Sequence, residues 1–507
     1  MSARLPPVTG EWIDRALPLE FEFESGRFQG FAGDTVTSAL QAAGVQVLGR
    51  SFKYHRPRGV LSMANHDVNA LLQDGACPNL RADVAPLRAG MRLTAVNTFG
   101  GLKHDRARIL DRMSALLPVG FYYKAFHSPA ALFPFWEKMF RRLTGLGRLD
   151  FAAKRLRTPK RYDFCDVLVI GGGPSGLSAA LACAEAGARV CIVDENARIG
   201  GSLTYQRGGG ERALALLHEL SERVNRHANI AVRAGTLAAG YYADHWVPLI
   251  DEQCMTKMRA RAVIVASGVF EQPAVFHNND LPGAMLASAA QRLLYRFAVK
   301  PMQSAVVLTA NDEGYGAALD LLANNIQVAA VVDLRSNADA TAPGAAKLAQ
   351  TGTRVYGGFG IHELRDVGGK VGAAVTCPVL AGGGLDISRQ QTIACDGLLM
   401  SVGYAPAAAL LYQAGARMRF DDALQQFVPD TLPPGIFAAG RVTGVFTLDD
   451  RLRDGARAGS AAARHLGFAA AADAAADAVA RAGTSPSHAY PIFDHPRGKN
   501  FVDFDED

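Results

Sequence analysis

Three glycines and one carboxylate are the residues in this chain whose types and spacing most clearly serve chemistry. Gly171, Gly173 and Gly176 stand in G-x-G-x-x-G spacing, with Ser175 inside the motif. Glycines so spaced allow a tight turn, a close approach of backbone to a pyrophosphate, and close packing of the next helix on the preceding strand. Free N–H groups at that helix's N-terminus favour an anion. Asp194 follows Gly176 by about 20 residues, where an acid can accept hydrogen bonds from an adenosine ribose. Gly171, Gly173, Gly176 and Asp194 are therefore read as a dinucleotide site. No Ser–His–Asp or metal-ligand spacing rises above chance, so the catalytic residues are unknown and no metal is expected. The seven cysteines include no C-x-x-C pair and read as reduced structural thiols.

The elements that must position these residues follow in order. Asp166–Ile170 is an almost wholly apolar run that reads as a buried parallel strand, and Val190–Val193 as a second. Arg261–Pro273 reads as a further strand ending in a glycine turn. Ser304–Arg335 repeats the strand, turn, helix, strand and acid pattern, ending at Asp333. Thr309 and Asn311 replace its first two glycines and only Gly314 survives, so this half is Rossmann-like in fold and doubtful as a nucleotide site. A strand from Cys395, the segment GIFAAGRVTG from Gly435, and a helix over Leu448–Leu466 complete the pattern. Arg441 stands where flavoproteins of this architecture place an Asp near the ribityl chain.

Ahead of these units, Phe21, Phe23, Phe28 and Phe31 flank a hairpin turn. Asp34 is expected to cap a helix over Thr35–Ala43, and Val45–Leu48 to form a strand. That order begins a ferredoxin-like β-grasp fold. No cysteine precedes Cys77, so the domain is expected to lack an iron–sulfur cluster. The basic group Arg50, Lys53, His55, Arg56 and Arg58 reads equally as a docking surface for an anionic cofactor or partner and as a solvated loop.

The predicted class is α/β, with two Rossmann-like dinucleotide domains of flavoprotein disulfide-reductase type behind that small domain. Residues 1–98 form the ferredoxin-like domain, 99–160 an aromatic helical connector, and 161–300 with 390–467 the first dinucleotide-binding domain. Residues 301–389 form the second Rossmann-like domain, and 468–507 an Ala-rich linker with a C-terminal docking segment. A net charge of +5, 49% hydrophobic and 20% charged residues describe an ordinary globular chain. Neither nucleic acid nor membrane is indicated as the main partner, and a cytoplasmic location is expected.

The strings GRSFKYHRPRG, PVGFYYK, DVLVIGGGPSGL, VFHNNDLPGAMLASA and PRGKNFVDFDED span nearly the whole chain. On them the sequence resembles the α subunits of heterotetrameric sarcosine oxidase and the wider group of amine and amino-acid dehydrogenase α subunits. The resemblance implies a subunit of a complex that oxidises sarcosine or a similar secondary amine. A β subunit would hold FAD and the amine site, with FMN at the interface between the subunits and further small subunits beside them. It implies NAD in the first dinucleotide unit, with FAD as the alternative there. The implied contacts are Ser175, Asp194, Glu195, Asn196, Gly201 and Ser202, and beyond them Ala238, Gly440, Val445 and Thr447. Family α subunits continue into a folate-binding half, and no folate chemistry is assigned to these residues. Two other readings stay open, a self-contained FAD- and NAD-dependent reductase and a non-catalytic assembly subunit. Disulfide reductases, however, carry a cysteine pair where this chain reads GGSLTYQRGGG.

Overall fold

The computed structural model describes the chain except for residues 1–2, 68–69, 76, 114–127, 144–148, 154–156, 337–342, 471–485 and 497–507. The connector aromatics Phe121, Tyr122, Tyr123 and Phe126, most of the Ala-rich linker and the terminal string from 497 lie outside the described residues. The chain divides into two compact units. One comprises Arg155–Gln272 and Val402–Ala489, the other Met1–Lys154, Pro273–Ser401 and Tyr490–Asp507.

The unit of Arg155–Gln272 and Val402–Ala489 is built on a sheet whose central strands, Lys160–Ile170 and Met255–Val265, run parallel in register from Val167 opposite Ala262 to Ile170 opposite Val265. Val190–Val193 and then Ile230–Arg233 extend one side. Ile436–Ala438 pairs with Met255–Val265 on the other side, beside the antiparallel Trp246–Ile250. Side chains alternate between the two faces of a strand. Val167, Val169 and Ile192 accordingly enter one core, while Leu168, Ile170 and Val193 enter another. Both faces are thus covered, which explains why the strand sequence is continuously apolar. Helices Pro174–Glu185, Arg212–Arg226 and Leu448–His465 close the first face through Leu177, Leu220 and Ala462.

In the other unit a hairpin of Asp14–Phe23 and Gly26–Ala32 sets Phe21 opposite Phe28. Asp14–Phe23 also pairs in parallel with Arg92–Ala95, and Leu71–Asp74 and Cys77–Arg81 extend that sheet. The wholly buried helix Val36–Ala42 is capped by Thr35, not by Asp34 as expected. Asp34 lies one residue too early, and its carboxylate instead accepts hydrogen bonds from Phe31 N, Ser38 Oγ and Arg4. Val45–Leu48 is not a strand, and the short strand is Gly49–Arg50, paired with Pro57–Arg58.

A parallel sheet in the same unit orders its strands Ala284–Leu286, Gly397–Ser401, Ser304–Thr309, Gln327–Asp333 and Val355–Gly357. The first two belong here and not with the first dinucleotide sheet, where ranges reaching 300 and starting at 390 had placed them. An apolar strand carries no local mark of the parallel sheet it joins, so pairing alone decides its place.

The basic group near Arg56 is largely spent inside this unit. Arg56 donates two bonds to Asp280, of 2.7 and 2.9 Å, and one of 2.9 Å to Asn278 Oδ1, and Arg58 also pairs with Asp280. Burial would raise the Asp280 carboxyl, but the guanidiniums of Arg58 and Arg56 outweigh it and hold its pKa below the ordinary value. His55 Nδ1 lies 2.7 Å from Asp105 Oδ2. Arg56 and Arg58 are therefore poor anchors for an external phosphate.

Candidate dinucleotide-binding site

Strand Lys160–Ile170 ends at Gly171, whose φ of +104° only glycine adopts readily. A Cβ there would lie 2.3 Å from Ala266 O. Helix Pro174–Glu185 begins after Gly173, with proline in its first turn and no side-chain cap. Its leading N–H groups are therefore not taken up by a capping side chain. At Gly173 a Cβ would meet one heavy atom within 4 Å, Gly201 Cα at 3.9 Å, so the backbone there is open to a ligand. At Gly176 a Cβ would fall 1.8 Å from Gly171 O, which makes this glycine the hinge of strand against helix.

Strand Val190–Val193 delivers Asp194 to the turn. Its Oδ2 accepts from Gly172 N at 2.8 Å, and its Oδ1 from Asn196 N at 2.8 Å and Asn196 Nδ2 at 2.9 Å. A carboxylate offers about four acceptor positions. Asp194 thus fixes the glycine turn and keeps acceptor capacity for a ribose hydroxyl. Gly200 N donates to Gly172 O at 2.7 Å, and Gly201, at φ +53°, sits so near Gly173 that a Cβ would reach Gly173 Cα at 2.8 Å.

The far part of the site comes from residues more than two hundred positions later. Gly440, at φ +85°, packs on Ser175, where a Cβ would meet Oγ at 2.4 Å. Val445 N donates to Gly440 O at 3.1 Å, and Thr447 caps helix Leu448–His465. Ser202 Oγ accepts from Arg451 Nη1 at 2.8 Å. The structure therefore brings together Gly171, Gly173, Ser175, Gly176, Asp194, Asn196, Gly201, Ser202, Gly440, Val445 and Thr447. Glu195 is exposed beside Asp194, and Ala238 lies in the short strand Leu237–Ala238, packed against the second core.

Reading the sequence missed the residues that carry this far half. Asp454 accepts from Gly440 N at 2.7 Å and from Thr443 Oγ1 at 3.0 Å. Gly455 and Gly459 let helix Leu448–His465 press on helix Pro174–Glu185, since Cβ atoms there would lie 2.2 Å from Ser175 O and 2.3 Å from Ala179 O. The spacing Gly-x-x-x-Gly in DGARAG was the available signal. Arg441, in place of the flavoprotein acid, is buried, donates to Gln206 Oε1 at 2.9 Å and lies 5.7 Å from the ring centres of Tyr404 and Phe446.

The second Rossmann-like unit is arranged differently. Asn311 Oδ1 accepts from Glu313 N, Gly314 N and Ser401 Oγ, taking the place an anion would need at helix Asp312–Ala323. Thr309 Oγ1 fills the space beside Gly314, and Asp333 is held by Arg335 and Tyr315 OH. Burial pushes the thiols of Cys191, Cys377 and Cys395 up to about 11 and that of Cys183 up to about 12, so these groups stay protonated.

Comparison with known proteins adds two family matches. Residues 16–98 match a 2Fe-2S iron-sulfur cluster binding domain and residues 166–247 an FAD dependent oxidoreductase. Among solved structures, L-proline dehydrogenase from P. horikoshii has the same fold, with a TM-score of 0.64 at 18% identity over 92% of this chain and 77% of that one. The fold and site thus define a flavoprotein-type dinucleotide oxidoreductase architecture. Sarcosine oxidase subunit alpha of Rhizobium meliloti (strain 1021) is 33% identical over 522 residues, covering 98% of this chain and 51% of the relative. That of Corynebacterium sp. (strain P-1) is 29% identical, covering 90% and 44%. The chain belongs to the sarcosine oxidase α-subunit family, and it spans about half the length of the curated relatives it matches. No helix among the described residues is long and apolar enough to cross a membrane.

The match over 16–98 corrects the expected fold class and cofactor set. The N-terminal domain falls in a 2Fe–2S cluster-binding family, whereas a cluster-free β-grasp domain and no iron–sulfur cluster had been expected from the cysteine spacing. Family membership rests on the pattern of the whole domain, and cysteine counting sees only the ligands. This stretch contains one cysteine, the exposed Cys77, against the four thiolates of the usual site. The carboxylate of Asp67 also takes hydrogen bonds from Leu61 N, Ser62 N, Ser62 Oγ and Met63 N. These residues do not supply the usual set of ligands.

Replacing Asp194 with Ala should lower the nucleotide retained through purification by at least about tenfold, since a hydrogen bond to a charged group contributes about 1.5–3 kcal/mol. The glycine turn loses its bond to Gly172 in the same variant. Nucleotide per chain after denaturation, read by chromatography, is the check.

Proposed function

We propose that this chain is the nucleotide-binding α subunit of a heteromeric flavin-dependent amine oxidase or dehydrogenase. Its substrate would be sarcosine or a similar N-alkyl amino acid, and its Gly171–Ser202 site would hold NAD. The observation that carries this reading is the relation to sarcosine oxidase subunit alpha along 98% of the chain, joined to an uncapped glycine turn with Asp194 at its edge. The bound dinucleotide would supply an adenosine, a diphosphate and a nicotinamide ring. Asp194 would orient the ribose, the N–H groups after Gly173 would take the diphosphate, and Gly440, Val445 and Thr447 would line the remainder. Chemistry on the amine is assigned to a partner β subunit with FAD, and FMN to the interface between the two.

The self-contained reductase is less favoured because the turn after Gly201 carries no cysteine pair and the second unit caps its own helix with Asn311. The test is to purify the tagged chain after coexpression with its genomic neighbours and to identify chains and cofactors by mass spectrometry. A flavin-bearing partner in fixed ratio is expected. Recovery of the chain alone, with a complete set of redox cofactors, would overturn the subunit reading.

A further inference from the structure

We infer that Arg441 sets which dinucleotide the site accepts, admitting a nicotinamide half and refusing a flavin. The inference rests on the dinucleotide reading above and concerns the half of the ligand beyond the diphosphate. Asp194 marks the adenosine end, and the glycine turn with the uncapped helix after Gly173 marks the diphosphate. Gly440 packs on Ser175, in the first turn of that helix, so the rest of the ligand leaves the diphosphate on the Gly440 side.

Arg441 is the next residue, in the short turn Gly440–Thr443. Its Nη2 donates to Gln206 Oε1 at 2.9 Å, and Gln206 N donates to Ser202 O at 2.8 Å. The side chain thus bridges the two turns that border the site, Gly440–Thr443 and Gly201–Thr204. Its guanidinium carbon lies 5.7 Å from the ring centres of both Tyr404 and Phe446. Tyr404 is itself held in place, buried on a short strand that pairs with Val269–Glu271. These contacts fix the guanidinium on the path of the ligand's second half.

Polarity and bulk there both act against a flavin. A guanidinium donates hydrogen bonds and accepts none. The ribose and carboxamide oxygens of a nicotinamide half can accept from it, whereas each ribityl hydroxyl brings a hydrogen that Arg441 cannot accept. The flavin half, an open polyol chain ending in fused rings, is also longer and wider than a ribose with a single ring. A site whose polar groups suit one ligand rejects strongly another that leaves polar groups unpaired.

The full chain, stripped of endogenous nucleotide, is titrated with NAD, FAD and ADP. ADP lacks the second half and reports whether the adenosine and diphosphate sites are intact. Wild type should bind FAD at least about tenfold more weakly than NAD. Arg441→Ala, which opens the space, and Arg441→Asp, which also offers an acceptor, should each strengthen FAD relative to ADP by about tenfold or more. Arg441→Lys, which keeps a long donor, should remain selective for NAD. Thermal melting without nucleotide identifies the folded variants, and either shortened variant suffices for the comparison. An unchanged ratio of FAD to ADP affinity in a folded shortened variant overturns the inference. Wild type that binds FAD as tightly as NAD also overturns it, and in both cases ADP binding leaves the dinucleotide reading standing. Wild type that binds none of the three removes the dinucleotide reading, and this inference with it.

Discussion

Amine-dependent turnover is expected to be absent from the purified chain and to reach the order of 1–10 per second when it is assembled with the flavin-bearing partners proposed for it. The effect is close to all-or-none because of what the units contain. Asn311 occupies the helix N-terminus of the second Rossmann-like unit, so an anion would have to displace a satisfied carboxamide. Arg441 stands where an acid would contact a ribityl chain, and it is already bonded to Gln206. Four thiols are held protonated by burial, which removes them as nucleophiles near neutral pH. What remains is the nucleotide site proposed at Gly171–Ser202. Peroxide release and dye reduction with sarcosine, assayed for the lone chain and for the coexpressed complex, give the answer. Robust turnover by the lone chain would contradict the assignment of amine chemistry to another subunit.

Gly455→Leu should be among the most damaging single substitutions in the chain. The Cβ alone would lie 2.2 Å from Ser175 O, which is backbone and cannot rotate away, so the two helices must separate. Overpacking of this kind costs about 1–3 kcal/mol and at times more. Here the cost falls on the site as well, since Thr447, Arg451 and Asp454 all ride on the displaced helix. A fall of several degrees in melting temperature and loss of retained nucleotide are expected together. The reference is Gly384→Ala, where an added Cβ meets nothing within 4 Å and little change in either reading should follow. Equal melting temperatures for the two variants would show that the close helix contact is not what holds the site together.

What could be read from the sequence was what is local. Gly171, Gly173, Gly176 and Asp194 lie within one strand, turn, helix and strand, and every constraint on them acts over a few residues. The strand Val190–Val193 and the helix from Leu448 were legible for the same reason. Arg451 and Gln206 were not, because each bonds a residue more than two hundred positions away, and nothing in DDRLRDGARAG says that it will meet the turn after Gly173. Membership of Ala284–Leu286 and Gly397–Ser401 in the second sheet is likewise a matter of long-range pairing. The cap at Thr35 was missed by one position, since Asp and Thr both cap well and only the turn geometry chooses between them. The N-terminal domain shows the converse, where counting cysteines from one stretch led away from the family that the whole domain matches.

The proposed function depends above all on a nicotinamide dinucleotide seated on the turn at Gly171–Gly176. The most direct measurement is to denature the purified, undialysed complex and identify the released nucleotides by mass spectrometry, quantified per α chain. Close to one NAD per α chain is expected, present in wild type and strongly depleted in Asp194→Ala, with flavin released in parallel and unaffected by that substitution. Release of FAD in place of NAD, depleted by the same Asp194 substitution, would contradict the assignment.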